Sequence, residues 1–282
     1  MTGTPFGALV VFGGGVMGSA VVRGGLAAGV LEAARTTVCE PDRSKCAALA
    51  ALGVRVTHDH GAAVQSSGPD AALLLAVKPQ SFAELASQLH GAGVSSGRLV
   101  VSVMAGVRGE RIAAELGMGV RVVRAMPNTA AAVRRSMTAI APGPRATEAD
   151  LARVRALISA VGKTVTIAEP LMDAATAVVG SGPAYVYVLA EAMMRGAREA
   201  GFDETTADEM VRGTIGGAAA MLEHHANMSP ADLRSMVTSK GGTTAAAVDV
   251  LHSTGVPEAV VRAILAARDR GRELAGPVDS DD

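Results

Sequence analysis

The stretch "VVFGGGVMGSAVVRGGLAAG", residues 10–29, holds the strongest architectural signal in the chain. An apolar run of strand type enters three consecutive glycines, and small and apolar residues then continue at helical spacing. Gly13, Gly15 and Gly18 stand at G-x-G-x-x-G spacing. In a strand–turn–helix unit the first glycine permits the tight turn. The second lets a pyrophosphate approach the backbone, and the third lets the helix pack closely on the strand. The helix then turns its first N–H groups toward the phosphates. Gly14, Val16 and Met17 complete the turn and are expected to bind cofactor with it. Glycine is common here, so the spacing alone is weak; its place between a strand and a helix makes dinucleotide binding the expectation.

The same alternation continues outward. Strand candidates are 7–12, 36–39, 71–77, 99–103, 121–124, 136–141 and 164–168, with helical patterns at 17–29, 42–52, 81–88, 109–116 and 147–161. Such alternation predicts a Rossmann-like, doubly wound parallel sheet over residues 1–168. Beyond Glu169 the strand signals vanish. Helical patterns at 171–179, 184–200, 204–225, 230–238, 243–253 and 257–275 predict an all-α domain over 169–282. Several of these helices are apolar over more than one stripe, which calls for burial. Six of them in about a hundred residues predict self-association through this half.

Composition narrows the classes. Nearly half of the 282 residues are apolar and there is no Trp, so the core is aliphatic. A net charge of −1 without a basic stripe argues against nucleic acid as a partner. The longest apolar runs are too short to span a bilayer, so no membrane partner is expected. The first residues lack a basic leader. Two cysteines, Cys39 and Cys46, suit a reducing cytoplasm and not a disulfide framework.

The strand ends carry further candidates. Glu40 lies 22 residues beyond Gly18, where an acidic side chain would bond a ribose 2′-hydroxyl and favour NAD. Arg43, Ser44 and Lys45 follow at once and could hold the 2′-phosphate of NADP, so the two signals oppose each other. "LLLAVKPQ" (73–80) ends a strand in Ala76, Val77, Lys78 and Pro79, at the edge where open α/β sheets bind ligands. "VSVMAGV", with Val103, Met104 and Ala105, and "RAMPNT", with Asn128, end strands in the same way. In the second half "GSGPAY" (180–185) interrupts a helix and is expected to bring Ser181 near the nicotinamide. "TSKGGTTAA" (238–246) clusters hydroxyls around paired glycines.

Through these blocks the chain resembles the pyrroline-5-carboxylate reductase family, nearly end to end. "GSGPAY" and "GGTT" are specific to it, and the glycine loop is not. Val16 and His60 stand where the family often has Asn, while Ala130 and Lys240 stand where it usually has Pro. The resemblance implies hydride transfer from NADPH or NADH to the imine carbon of 1-pyrroline-5-carboxylate, giving L-proline, in a homodimer or a larger ring. It implies that Thr244 is the side chain nearest the imine nitrogen. Such chemistry needs an anion site and a dry pocket, but no nucleophile and no metal. Gly241 and Gly242 let the backbone turn, Thr243 and Thr244 open a helix whose N–H groups face an anion, and hydroxyls of Ser239, Thr243 and Thr244 complete the site. One threonine is expected only to cap that helix.

Other candidates weigh less. His58-x-His60 lacks a third ligand and reads as a solvated loop. His224-His225 sits at a helix end. The methionines, Met193-Met194 among them, read as core filler, and Tyr185 and Tyr187 as core. A hydroxyacid dehydrogenase would place a lysine in the helix after the nucleotide domain, and residues 171–200 contain none. A non-catalytic NAD(P) sensor would have no use for the second anion site.

Overall fold

A computed structural model of the chain describes residues 6–94 and 96–275. Among these, eight strands form one sheet: β1 (Leu9–Phe12), β2 (Thr36–Cys39), β3 (Arg55–Thr57), β4 (Ala72–Leu75), β5 (Leu99–Ser102), β6 (Arg121–Met126), β7 (Ser136–Pro142) and β8 (Gly162–Thr166). Their order is β3-β2-β1-β4-β5-β6-β7-β8. Every neighbouring pair is parallel except β6–β7. A wholly parallel sheet was the expectation, and the connection explains the departure. Residues 127–135 hold only a short 3₁₀ turn (Thr129–Val133), and a parallel return needs a crossover of about a dozen residues or more.

The central strands are apolar without interruption because both faces are covered. Leu9, Val11, Ala72 and Leu74 point to one side, where they meet Val21 and Val22 of α1 (Val16–Ala27) and Val154, Leu157 and Ile158 of the helix 148–159. The alternate residues Val10, Phe12, Leu73 and Leu75 meet Phe82, Leu85 and Leu89 of the helix 82–91 and Ile112 and Leu116 of the helix 109–116. Each of these large side chains, once fully buried, contributes about 1.5–3 kcal/mol. The strand β3 and the helix His60–Ser66 had no sequence signal of their own. Three residues are too few to show alternation, and the helix depends on its cap, the Asp59 carboxylate accepting from Ala62 N at 2.9 Å.

The helical pattern begins at Glu169, but the compact units divide later. One comprises residues up to Ser181 together with the last helix from Ala266 onward; the other is Gly182–Leu265. Packing explains the shift from 168. Met172 is buried with Met126, Ala139 and Ala141 of the sheet, and Ala175 and Val179 pack beside them. Glu169 accepts from Gly109 N at 2.7 Å and lies 3.5 Å from the Arg124 guanidinium. Burial pushes the Glu169 carboxyl up and the Arg124 guanidinium down, and their mutual attraction opposes both shifts.

The second unit contains helices 182–199, 204–224, 230–236 and 243–253, and the first half of the helix 256–275. Only Ala207 and Val211 are buried in it. Val186, Tyr187, Val188, Leu189, Met221 and Leu222 are exposed. The reading of Tyr187 as core is therefore corrected, as it is for Met118, Met210, Met221 and Met236, because among the described residues nothing covers them; Met104, Met126 and Met172 are buried as core. The helical run 169–199 is long and apolar enough, by length and composition, to cross a membrane, and 6% of its most apolar window is buried.

Candidate active site

The glycine loop has the geometry its spacing predicts. Gly13 donates from N to Cys39 O at 2.9 Å and takes φ +101°, a conformation that residues with a Cβ rarely adopt. A Cβ on Gly18 would lie 1.9 Å from Gly13 O, so helix α1 approaches the loop as closely as backbone allows. At Gly15 a Cβ would meet nothing within 4 Å. Gly15 is also the N-cap of α1, and no side chain caps that end. Open space in front of uncapped helix N–H groups fits a dinucleotide pyrophosphate.

The sheet order places this loop at the point where the strand order reverses, between β1 and β4. Ligands of open α/β sheets bind there, outside the strand ends. Ala76, Val77, Lys78 and Pro79 follow β4; Val103, Met104 and Ala105 follow β5; Asn128 follows β6. Lys78 and Ala105 are exposed, and Val16 is 67% exposed. Met104 is corrected: its side chain is 2% exposed and belongs to the core beneath the sheet, leaving only its backbone at the edge.

Beyond β2 the chain turns through "EPDRSK". Asp42 caps the helix Arg43–Ala50, accepting from Ser44 N at 3.0 Å and Ser44 Oγ at 2.6 Å. Hydrogen bonds from Ser44 and Lys45 hold the Asp42 carboxyl down at about 2. Lys45 Nζ lies 3.1 Å from Asp42. Arg43 is exposed at the first helical position and forms no hydrogen bond or ion pair among the described residues. Glu40 is 5% exposed and faces inward, with both carboxylate oxygens accepting backbone N–H groups. A free carboxylate for a ribose hydroxyl is therefore not what β2 presents.

Asn128 departs from its expected role in a similar way. Its Oδ1 accepts from Ala130 N at 3.1 Å, and its Nδ2 donates to Val179 O at 3.0 Å. That carbonyl lies four residues before Pro183, which has no N–H to complete the helical bond. The segment Thr176–Gly180 widens into a π turn, in which Ser181 N bonds to Thr176 O at 2.9 Å. The proline thus leaves Val179 O for Asn128, and the Asn128 side chain is spent on structure. Ser181 is half-buried at the end of this turn.

In the second unit Gly241 takes φ +72° and Gly242 is extended at the N-cap of the helix Thr243–Ser253. No side chain caps this helix, so the expectation that a threonine does so is corrected. A Cβ on Gly242 would lie 2.5 Å from Ser239 Oγ and 3.2 Å from Ser239 O, so the Ser239 side chain would have to shift to admit one. The Thr238 hydroxyl is used locally, donating to Arg234 O at 2.7 Å. Thr243, Ser239 and Lys240 are exposed and Thr244 is half-buried.

A family profile described as "Pyrroline-5-carboxylate reductase dimerisation" matches residues 169–274, and one described as "NADP oxidoreductase coenzyme F420-dependent" matches residues 8–106. A pyrroline-5-carboxylate reductase of Methanosarcina acetivorans is 39% identical over 265 residues, covering 93% of this chain and 96% of that protein. The chain belongs to the pyrroline-5-carboxylate reductase family. The structure of a Coxiella burnetii pyrroline-5-carboxylate reductase superposes with TM-score 0.88 at 30% identity, covering 96% of this chain and all of that one. A Plasmodium falciparum pyrroline carboxylate reductase solved with NADP bound superposes with TM-score 0.85 at 22% identity, over 97% of this chain and all of that one. This reductase is an NAD(P)H-dependent oxidoreductase. Two features of it escaped the sequence reading: the Glu40–Gly14 contact and the acceptor role of Val179 O. The first joins residues 26 apart and the second residues 51 apart, and no local pattern reports such pairs.

Proposed function

We propose that the reductase activity of this chain rests on two anion sites made of backbone N–H groups and on one positioned hydroxyl. The reaction is reduction of 1-pyrroline-5-carboxylate to L-proline. A bound NADPH or NADH supplies hydride to the imine carbon, and a substrate that enters with its nitrogen protonated leaves as a secondary amine. The protein's part is to bind, orient and exclude water, which is where most of such a rate enhancement originates. Gly13, Gly14, Gly15, Val16, Met17 and Gly18 hold the pyrophosphate. Arg43 and Ser44 lie toward the 2′-position, and the strand-end residues Ala76–Pro79, Val103 and Ala105 line the nicotinamide side. The substrate carboxylate lies on the N-terminus at Gly241, Gly242 and Thr243, with Ser239 beside it, and Thr244 hydrogen-bonds the reacting nitrogen. The observation that carries this reading is the uncapped helix start at Gly242, whose orphan N–H groups call for an acceptor.

Purified protein is expected to oxidise NADPH or NADH when given 1-pyrroline-5-carboxylate, with a chelator present. Absence of turnover with both cofactors, or strict dependence on a divalent ion, would overturn this mechanism.

The exposed apolar faces of helices 182–199 and 204–224 supply the second part of the proposal. They assemble this reductase into a homodimer, or a larger ring of dimers, within the cytoplasm. Light scattering at micromolar concentration should give at least twice the 28.3 kDa chain mass. A stable monomer on dilution would refute the assembly.

A further inference from the structure

Glu40 follows β2, where a dinucleotide fold commonly offers an acid to the ribose, yet its carboxylate is buried, bonded to the glycine loop. Oε2 accepts from Gly14 N at 2.7 Å and Oε1 from Asp42 N at 2.9 Å. Lys45 Nζ lies 3.9 Å from Oε1 and offsets the charge. The backbone of the same residue is held as well. His58 Nδ1 lies 2.7 Å from Glu40 O, a contact in which a carbonyl can only accept, so Nδ1 carries the proton. One side chain thus ties together the loop after β1 and the turn after β2, and a third segment holds its carbonyl. Hydrogen bonds to a charged acceptor are the stronger kind, and a buried N–H left without one is costly. The Asp42 carboxylate is taken by Ser44 and Lys45, which leaves the Arg43 guanidinium as the uncommitted charge at this turn.

We infer that Glu40 is a positioning residue that sets the shape of the glycine loop for either cofactor, and that discrimination at the 2′-position falls to Arg43. This rests on the cofactor crevice assigned above and deepens it.

The test is calorimetric binding of NADPH and NADH to the unmodified protein and to Glu40→Gln, Glu40→Asp and Arg43→Ala, each checked by its melting curve. Gln keeps the size but turns an NH₂ toward one of the two N–H groups; Asp keeps the charge but loses the reach. Both are expected to weaken NADPH and NADH alike by about tenfold, leaving their ratio within about threefold, with a larger effect on affinity than on kcat. Arg43→Ala is expected to weaken NADPH by about tenfold or more and to leave NADH nearly unchanged. A ribose ligand behaves otherwise: loss of NADH affinity alone in Glu40→Gln would overturn the inference, as would unchanged affinity for both cofactors in the two Glu40 variants. Failure of the unmodified protein to bind either cofactor overturns the crevice and the inference together. Binding without turnover touches only the substrate.

Discussion

Gly18→Ala is expected to lower NAD(P)H oxidation by more than about a hundredfold, because the added methyl has no room to enter. Its Cβ would lie 1.9 Å from Gly13 O, 3.1 Å from Gly13 C and 3.3 Å from the Ala76 side chain. The first two are backbone atoms that cannot swing aside as a flexible side chain would. Overpacking costs typically about 1–3 kcal/mol even where side chains can adjust. Here relief requires the loop to leave α1, so the loss falls on the cofactor site, and about 2.7 kcal/mol there already equals a hundredfold. Gly15→Ala is the informative control. A methyl at Gly15 meets nothing within 4 Å, and the backbone there is at φ −66°. Stability should therefore be retained while cofactor affinity falls, since the methyl occupies the space in front of the helix. Titration of NADPH binding alongside thermal melts separates the two variants. Wild-type affinity in Gly18→Ala would mean that the loop and helix do not meet as described.

Thr244→Ala is expected to lower kcat by about ten- to a thousandfold, the range for losing one positioned polar contact in a transition state. The Thr244 hydroxyl is not consumed as a helix cap, because Gly242 holds that position without a side-chain bond. Its removal should leave the helix intact and cofactor affinity nearly unchanged. Lys240 provides the contrast in the same assay. It is exposed, it precedes the paired glycines, and imine reduction asks for no base. Lys240→Pro is expected to stay within about tenfold of the unmodified enzyme, less than the loss of a general acid or base should cost. Unchanged kcat in Thr244→Ala, or collapse in Lys240→Pro with the fold intact, would reverse these assignments.

The glycine loop, the strand–helix alternation and the "GGTT" turn were legible in the sequence because each is encoded locally. A φ of +101° at Gly13 or +72° at Gly241 asks for glycine whatever surrounds it. A strand covered on both faces must likewise be apolar throughout, as residues 72–75 are. The features that only the tertiary structure decided pair groups distant along the chain. The sequence offers Glu40 as a ribose ligand against Arg43, Ser44 and Lys45 as phosphate ligands, and the fold commits both Glu40 oxygens to Gly14 N and Asp42 N. Asn128 looked like a cofactor contact until Pro183 was seen to free Val179 O as its acceptor. Met104 and Tyr187 exchanged environments against expectation, one buried beneath the sheet and the other 60% exposed. Hydropathy records that a side chain shuns water, and only packing decides what covers it. By itself the sequence determined the architecture and the class of chemistry, because turn geometry and strand burial are local demands. The tertiary structure decided which polar groups remain free for a ligand, because a hydrogen bond already satisfied within the fold is not available to one.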